Sequence, residues 1–406
     1  MTQDVLIVAD DLSGAAESAA ELAGACGVPL ALSEKSGRTS PADAPRVRAV
    51  DVDTRHSPPA AARLRTGRAL GAAGAHTLVF AKLDSLLRGN PGAAVDELRR
   101  AGRTVVVSAA HPDAGRTVRA GVSFVDGVAL HETAAWAAEE SLPPRSVAAA
   151  LGGPAGVGGF RVIPLAVVRT ASALREAIAG CALTGAVAVC DAETPEDLSA
   201  VAEATLAQSV PVALAGTAAL ARALAGLLEL PGDGPHDAAR PLPERPVLVV
   251  AGTRAPSLDA QFAALAAAGA TMYDLDEATL ARAARDGLPH DGPATTAVRL
   301  ARGHAWRAAD VDRLAAAVVP LARAIGAHLL LTGGETARRV LDALGVDELT
   351  VLGPLGAGAV LCRTADGRAV VTRPGSFGGD DHLVDLTARL RALRMETAAT
   401  SAGKDS

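Results

Sequence analysis

Two short stretches of the chain gather the side chains that acid–base and anion chemistry require. ADDLSGA, Ala9 to Ala15, follows the apolar run Val5 to Ala9. In open parallel sheets ligands bind beyond the carboxyl ends of the strands, which is where Asp10, Asp11 and Ser13 fall. A carboxylate there can bind or deprotonate a substrate hydroxyl; an aspartate there can equally cap the helix that Ser13 and Gly14 open. FAKLDSLLRGNPG, Phe80 to Gly92, places Lys82, Asp84, Ser85 and Arg88 within seven residues, with Gly89 admitting close backbone approach. Lys82 and Arg88 suit an anionic substrate, since arginine presents a two-pronged fork to a carboxylate. Asp84 can orient a hydroxyl or act as a base. The competing reading is a loop of solvated, mutually paired charges. A compositional bias favours chemistry: of 39 basic residues only Lys35, Lys82 and Lys404 are lysines. Where arginine serves almost everywhere else, a lysine inside a motif points to a need for a compact ammonium.

Two further strand ends carry polar pairs. Thr54 and Arg55 follow Val47 to Val52, and HPDAGRTVRAG, His111 to Gly121, follows Val105 to Ser108. Gly115 and Arg116 offer another anion contact; His111, alone, stays outside the catalytic set. A merely structural sheet would more often end its strands in plain Gly, Pro and Ser turns.

The second half has glycine-rich turns in place of charge clusters. LLLTGGET, Leu329 to Thr336, runs from strand to helix. Gly333, Gly334 and Glu335 would put free N–H groups at a helix N-terminus, an anion site, with Thr336 as an extra donor. GPLGAG contains Gly356, Ala357 and Gly358, and RPGSFGG contains Gly375, Ser376, Phe377 and Gly378. Together they suggest a nucleotide-phosphate cradle. Ser257 either caps a helix or meets a phosphate, with Gln261 one turn later on the same face. Neither GxxxxGK[ST] nor GxGxxG occurs, so any nucleotide site is of another kind.

The elements that must position these residues alternate. Apolar runs such as Val5–Ala9, Val47–Val52, Thr77–Ala81 and Val105–Ser108 are separated by helix-like, alanine-rich stretches. That order predicts an α/β protein whose mostly parallel sheets are covered on both faces. Leu230 to Pro246 holds five prolines and two glycines in 17 residues and reads as a linker. The expected division is 1–229, a linker over 230–246, 247–396, and a disordered tail over 397–406, with the site in the cleft between the two domains. A net charge of −6 and 2% aromatics argue against nucleic acid as a partner. Four scattered cysteines offer no zinc or disulfide framework. No signal peptide and no apolar span of membrane length are seen, so a cytoplasmic protein with no membrane partner is expected.

In this order the motifs resemble those of the four-carbon acid sugar kinases. That family's ADDxTGA looks like Ala9 to Ala15, its KxDSxxRG like Lys82 to Gly89, and its PxxGR like Pro112 to Arg116. Its TGGxT, PGxP and KxGxFG elements look like Thr332 to Thr336, Leu355 to Ala359 and Arg373 to Gly378. The resemblance implies an N-terminal sugar-acid domain, a C-terminal ATP domain and a requirement for Mg2+. It implies phosphorylation of a hydroxyl, usually terminal, of a tetronate or 3-oxo-tetronate. Asp10, Asp11, Lys82 and Asp84 would be catalytic, and Ser13, Thr54, Arg55, Ser85, Arg88, Gly89 and Arg116 would bind the acid. Ser257, Gly333 to Thr336, Gly356 to Gly358 and Gly375 to Gly378 would bind nucleotide. Three departures stand out: Ser13 and Leu86 replace threonines, and Arg373 replaces a lysine. Alternatives are a non-catalytic sugar-acid sensor and an ATP-dependent carboxylate-activating enzyme; the assembly is open between monomer and homodimer.

Overall fold

The computed structural model describes residues 3–24, 27–34, 46–74, 76–137, 139, 141–153, 159–230, 242–252, 255, 257–289, 294–302, 307–375 and 377–392. Ser376, most of the proline-rich segment and the tail over 397–406 lie outside the described residues. The chain divides into two compact units, 1–24 with 28–232 and 25–27 with 233–406.

The first unit contains β1 Val5–Ala9, β2 Val28–Ala31, β3 Val47–Asp51, β4 Leu78–Lys82 and β5 Thr104–Ser108. It continues with β6 Arg116–Arg119, β7 Val122–Val125, β8 Val128–Ala129, β9 Phe160–Ile163, β10 Val187–Cys190 and β11 Val212–Gly216. Eight of these form a parallel sheet in the order β2-β3-β1-β4-β11-β5-β10-β9. Strands β6 to β8 form a small antiparallel sheet, which the strand-and-helix alternation does not predict. All five residues of β1 are buried, as a strand covered on both faces requires. From β1 the chain passes to β2 and β3 on one side and to β4 on the other. This reversal of direction marks the carboxyl end of β1 as the topological switch point, where such sheets bind ligands.

Register places a single row across that end of the sheet. Asp51 pairs with Ala9, Ala9 with Lys82, Lys82 with Gly216, and Gly216 with Ser108. Helix α1, Leu12–Glu21, begins three residues beyond the row and buries Ala15, Ala16, Ala19 and Ala20. Four small side chains let it lie close to the strands.

The second unit contains β12 Val247–Ala251, β13 Thr271–Leu275, β14 Thr295–Leu300, β15 His328–Thr332, β16 Glu348–Gly356, β17 Ala359–Arg363 and β18 Ala369–Arg373. Their order is β13-β14-β12-β15-β18-β17-β16. The first five are parallel, and β17 and β16 continue the sheet antiparallel. Val249, Phe262, Leu330, Val371, Leu383 and Leu386 are among its buried core. Among the described residues no helix is long and apolar enough to cross a membrane.

Candidate active site

Asp10 and Asp11 leave β1 side by side and do different work. Asp11 caps α1, its carboxylate accepting from the Gly14 N–H at 3.2 Å. The capping reading of this motif therefore holds for Asp11. Asp10 lies under Arg55, which arrives from the end of β3. Arg55 Nε and Nη2 donate to the two Asp10 oxygens at 3.1 and 2.8 Å, and Nη2 also reaches Asp11 at 2.8 Å. The Thr54 and Arg55 backbone N–H groups both donate to the Asp10 carbonyl. Thr54 is buried and its own carbonyl accepts from Asn90, so it fixes the loop through its backbone. Burial pushes the Asp10 carboxyl above its ordinary range, against the pull of Arg55.

Asp84 is the second braced carboxylate. Arg88 grips it with a fork, Nε at 2.9 Å and Nη2 at 2.8 Å, and the Leu86 N–H donates at 3.0 Å. Arg55 Nη1 stands 3.7 Å away. Burial disfavours the Asp84 charge, yet Arg55 and Arg88 together hold it well below the usual carboxylate range. The Leu86 carbonyl is tied to Trp136 Nε1 at 2.8 Å, which locks the turn leading to Gly89. Gly89 has φ +80°, and a Cβ on it would stand 2.6 Å from an Asp10 oxygen.

Among the described residues Lys82, only 8% exposed, has no carboxylate within ion-pair distance. Its ammonium crosses the first turn of α1, where a Cβ on Gly14 would lie 2.8 Å from it. Arg116 opens β6, gives one N–H to Ser85 Oγ at 2.6 Å and keeps its buried Nε without a partner. Ser13 Oγ and Ser108 Oγ are likewise buried and unpartnered. The site thus holds two cations with spare donors, Lys82 and Arg116, beside carboxylates already gripped by arginine. Arg88, expected to hold a substrate anion, has its fork turned onto Asp84.

Two groups in this cluster are absent from the sequence-derived set. His111 lies half-buried, and burial, with Lys82 and Arg116 nearby, pulls its imidazole down to about 4. Glu17 lies one turn into α1, within electrostatic range of Lys82, Asp11, Arg55, Asp84 and Arg116. Its signal is periodicity: it follows Ser13 by four residues and is the first acid of an alanine- and serine-rich helix.

In the second unit, Gly333 caps the helix Gly334–Leu344 with φ +94°, and its N–H donates to the Arg373 carbonyl at 2.9 Å. Thr336 is buried against Gly252, Glu335 is half-buried, and Thr332 Oγ1 is buried without a partner. Gly356, Ala357 and Gly358 turn between β16 and β17, all with positive φ. A Cβ on Gly358 would stand 3.2 Å from Pro374 and 3.6 Å from Phe377, so this turn sits against the Arg373–Gly378 loop. Gly375, Phe377 and Gly378 belong to that loop. Arg373, fully buried, braces it: its Nη1 donates to Gln261 Oε1 at 2.7 Å, its Nε to Pro374 O at 3.3 Å, and its Nη2 to Phe377 O. Gln261 in turn donates to the Gly378 carbonyl at 3.1 Å. Burial pulls the Arg373 guanidinium down to about 10. Gln261 and Arg373 are thus structural members of the glycine-loop site that the nucleotide set omits. Ser257 has helical backbone and makes no capping bond, which removes its capping alternative.

Comparison with known proteins bears on both units. The family described as a sugar-binding N-terminal domain matches residues 5–224, and that described as a nucleotide-binding C-terminal domain matches 248–383. A D-threonate kinase of Cupriavidus necator is 34% identical, covering 92% of this chain and 95% of its own. A D-threonate kinase of Bordetella bronchiseptica is also 34% identical, over 96% and 98%. A 3-oxo-tetronate kinase of Methylobacterium radiotolerans is 32% identical, over 92% and 96%. A solved structure from Salmonella typhimurium, that of a tRNA-synthase candidate, superposes with a TM-score of 0.76 at 20% identity, covering 95% of this chain and 98% of that one. One from Haemophilus influenzae gives 0.69 at 19%, over 93% and 97%. At such identities these two speak for the fold alone. On both domain matches and these full-length relatives, the chain belongs to the four-carbon acid sugar kinase family.

Proposed function

We propose that the chain transfers the γ-phosphoryl group of ATP to a hydroxyl, the terminal one, of a tetronate or 3-oxo-tetronate. The observation that carries this reading is the placement of Lys82 and Arg116, cations with spare donors, beside the braced Asp10, Asp11 and Asp84 at the switch point of the first sheet. Lys82 and Arg116 meet the carboxylate of the acid, while Ser13, Ser85 and the Gly89 turn line its hydroxyls. Asp10 and Asp84, held by Arg55 and Arg88, fix the shape and charge of the pocket wall. In this reading residues 1–229 bind the acid and 247–396 the nucleotide. The phosphates lie over the N–H groups of Gly334, Glu335 and Thr336, the Gly333 N–H being taken by the Arg373 carbonyl, and over the turn Gly356–Gly358 and the loop residues Gly375, Phe377 and Gly378, with Ser257 beside them. The reaction then needs positioning and charge neutralisation more than covalent help.

Mg2+ enters with ATP. Such an ion keeps several waters and takes one or two carboxylates besides the phosphates. Glu335, half-buried at the start of the helix Gly334–Leu344, offers a carboxylate of that kind. The ion's part is to neutralise phosphate charge. The enzyme works in the cytoplasm, where ATP and sugar acids are both supplied.

The test is ADP release by the purified protein with Mg-ATP across a panel of C4 to C6 sugar acids. Turnover on a tetronate, with a phosphate ester detected by mass spectrometry, is expected. AMP as the product would replace the reading with carboxylate activation, and acid binding without turnover would replace it with a sensor.

A further inference from the structure

We propose that Glu17 accepts the proton of the reacting hydroxyl. The inference rests on the kinase reading and adds to it the identity of the base. A carboxylate whose lone pairs are filled by guanidinium N–H groups is a weak proton acceptor, because protonation must break those bonds. Asp84 takes both prongs of Arg88 and is held well below the usual carboxylate range; Asp10 takes both prongs of Arg55, so that although burial raises its carboxyl, protonating it must still break two charge-assisted bonds. Asp11 takes a third contact from Arg55 and caps α1. The three aspartates of the cluster are therefore all engaged.

Glu17 is not. Among the described residues it makes no hydrogen bond and no ion pair. It is half-buried on α1, four residues beyond Ser13, so the two side chains share a helix face. Ser13 Oγ is itself buried and unpartnered, as expected of a face that meets a polar ligand. The elements packed on α1 supply the surrounding charges. Lys82 comes from β4, Arg55 and Asp84 from the loops after β3 and β4, and Arg116 from β6. Asp51, at the end of β3, accepts from the Asp53 N–H. Arg222, on the helix Ala218–Ala225, is paired to Glu21 and Asp113. Burial raises the Glu17 carboxyl to about 7, with Lys82 opposing and Asp11 adding to the shift. A base near the working pH combines a large ionised fraction with a strong pull on the proton.

The step balances simply. The hydroxyl oxygen forms the bond to the γ-phosphorus, the bond to the β–γ bridging oxygen breaks, and ADP leaves. The hydroxyl proton passes to the Glu17 carboxylate and is lost to solvent after the product departs.

The experiment measures kcat/KM against pH from 5.5 to 9 for wild type, Glu17→Gln and Glu17→Asp, with acid affinity by calorimetry. Wild type should rise to a plateau through about pH 7. Glu17→Gln should fall about 100-fold or more on the plateau and lose that limb, with acid affinity within about threefold. Glu17→Asp should keep the limb at a reduced rate. Glu17→Gln with a wild-type rate, or a reduced rate with the limb intact, would overturn the assignment and leave the kinase reading standing. Wild type inactive on every acid would overturn both.

Discussion

The Lys82 ammonium rests on the first turn of α1 where Gly14 has no side chain, and a Cβ there would stand 2.8 Å from Nζ and 2.6 Å from the capping oxygen of Asp11. Gly14 has helical backbone, so alanine would ordinarily stabilise the helix by about 0.5–1 kcal/mol. Nζ is the tip of a flexible side chain, but Lys82 Cγ also lies 3.1 Å away and the Asp11 oxygen is held by the Gly14 N–H and by Arg55, so making room gives up the cap. Losing that cap costs about 1 kcal/mol, which offsets the helix gain, and Gly14→Ala should fold with a Tm no higher than wild type and within about 5 °C of it. Moving the ammonium by an ångström should still lower kcat/KM about 100-fold. A thermal melt alongside the coupled ADP assay checks both; a stable, fully active variant would show that Lys82 is not held there for catalysis.

Asp84→Asn should destabilise the first unit. The amide removes the charge that Arg88 and Arg55 share; Arg55 keeps Asp10 and Asp11, but the Arg88 fork loses its carboxylate, which costs about 1.5–3 kcal/mol. The pH dependence follows from the depressed carboxyl. Its contribution is full above the ordinary value of 3.8 and is lost as pH falls below it. Urea titrations at pH 7 and pH 3 should show a large gap between wild type and variant at the first and a smaller one at the second.

Much of this site is legible in the order of residues because its members sit at strand ends, where position follows from the strand itself. Asp10, Lys82 and Asp84 need only that β1 and β4 be parallel neighbours. What the sequence hides is the pairing. Arg55 reaches Asp10 across 45 residues, and no spacing rule says that Arg88 turns back onto Asp84 instead of out toward a ligand. The turn Gly356–Gly358 shows another limit. Phosphate loops and hairpin turns both select residues able to adopt positive φ, so GPLGAG fits either until β17 is seen pairing with β16. The short strands β17 and β18 escape notice for a related reason: antiparallel neighbours need no intervening helix to announce them.

Arg373 stands where the resembled motif has lysine, and the structure gives it a different task from gripping a phosphate. Its donors go to Gln261 and to the carbonyls of Pro374 and Phe377. Arg373→Ala would leave those buried acceptors unmatched and cost about 2–3 kcal/mol. The loosened glycine loop should raise KM for ATP about tenfold, the equivalent of roughly 1.4 kcal/mol, with KM for the acid unchanged. Arg373→Lys should fall between, since one ammonium cannot span three acceptors. Steady-state kinetics in each substrate separate these outcomes, and equal effects on both constants would argue against a role confined to the nucleotide loop.

Glu17 links stability and function in opposite directions. Its carboxyl is raised from 4.5 to about 7, chiefly by burial. The folded chain therefore binds this proton more tightly than the unfolded chain does. The resulting stabilisation is complete below pH 4.5 and disappears as pH rises through about 7. Above that, wild type carries a half-buried charge with no hydrogen-bonding partner, a cost that glutamine avoids. Glu17→Gln should match wild type in urea titrations near pH 5 and exceed it by about 1–3 kcal/mol at pH 8. If the advantage instead appears at low pH, Lys82 stabilises the ionised glutamate and burial does not govern it. A variant that is more stable at pH 8 yet nearly inactive would mark Glu17 as a group kept for the reaction at the expense of the fold.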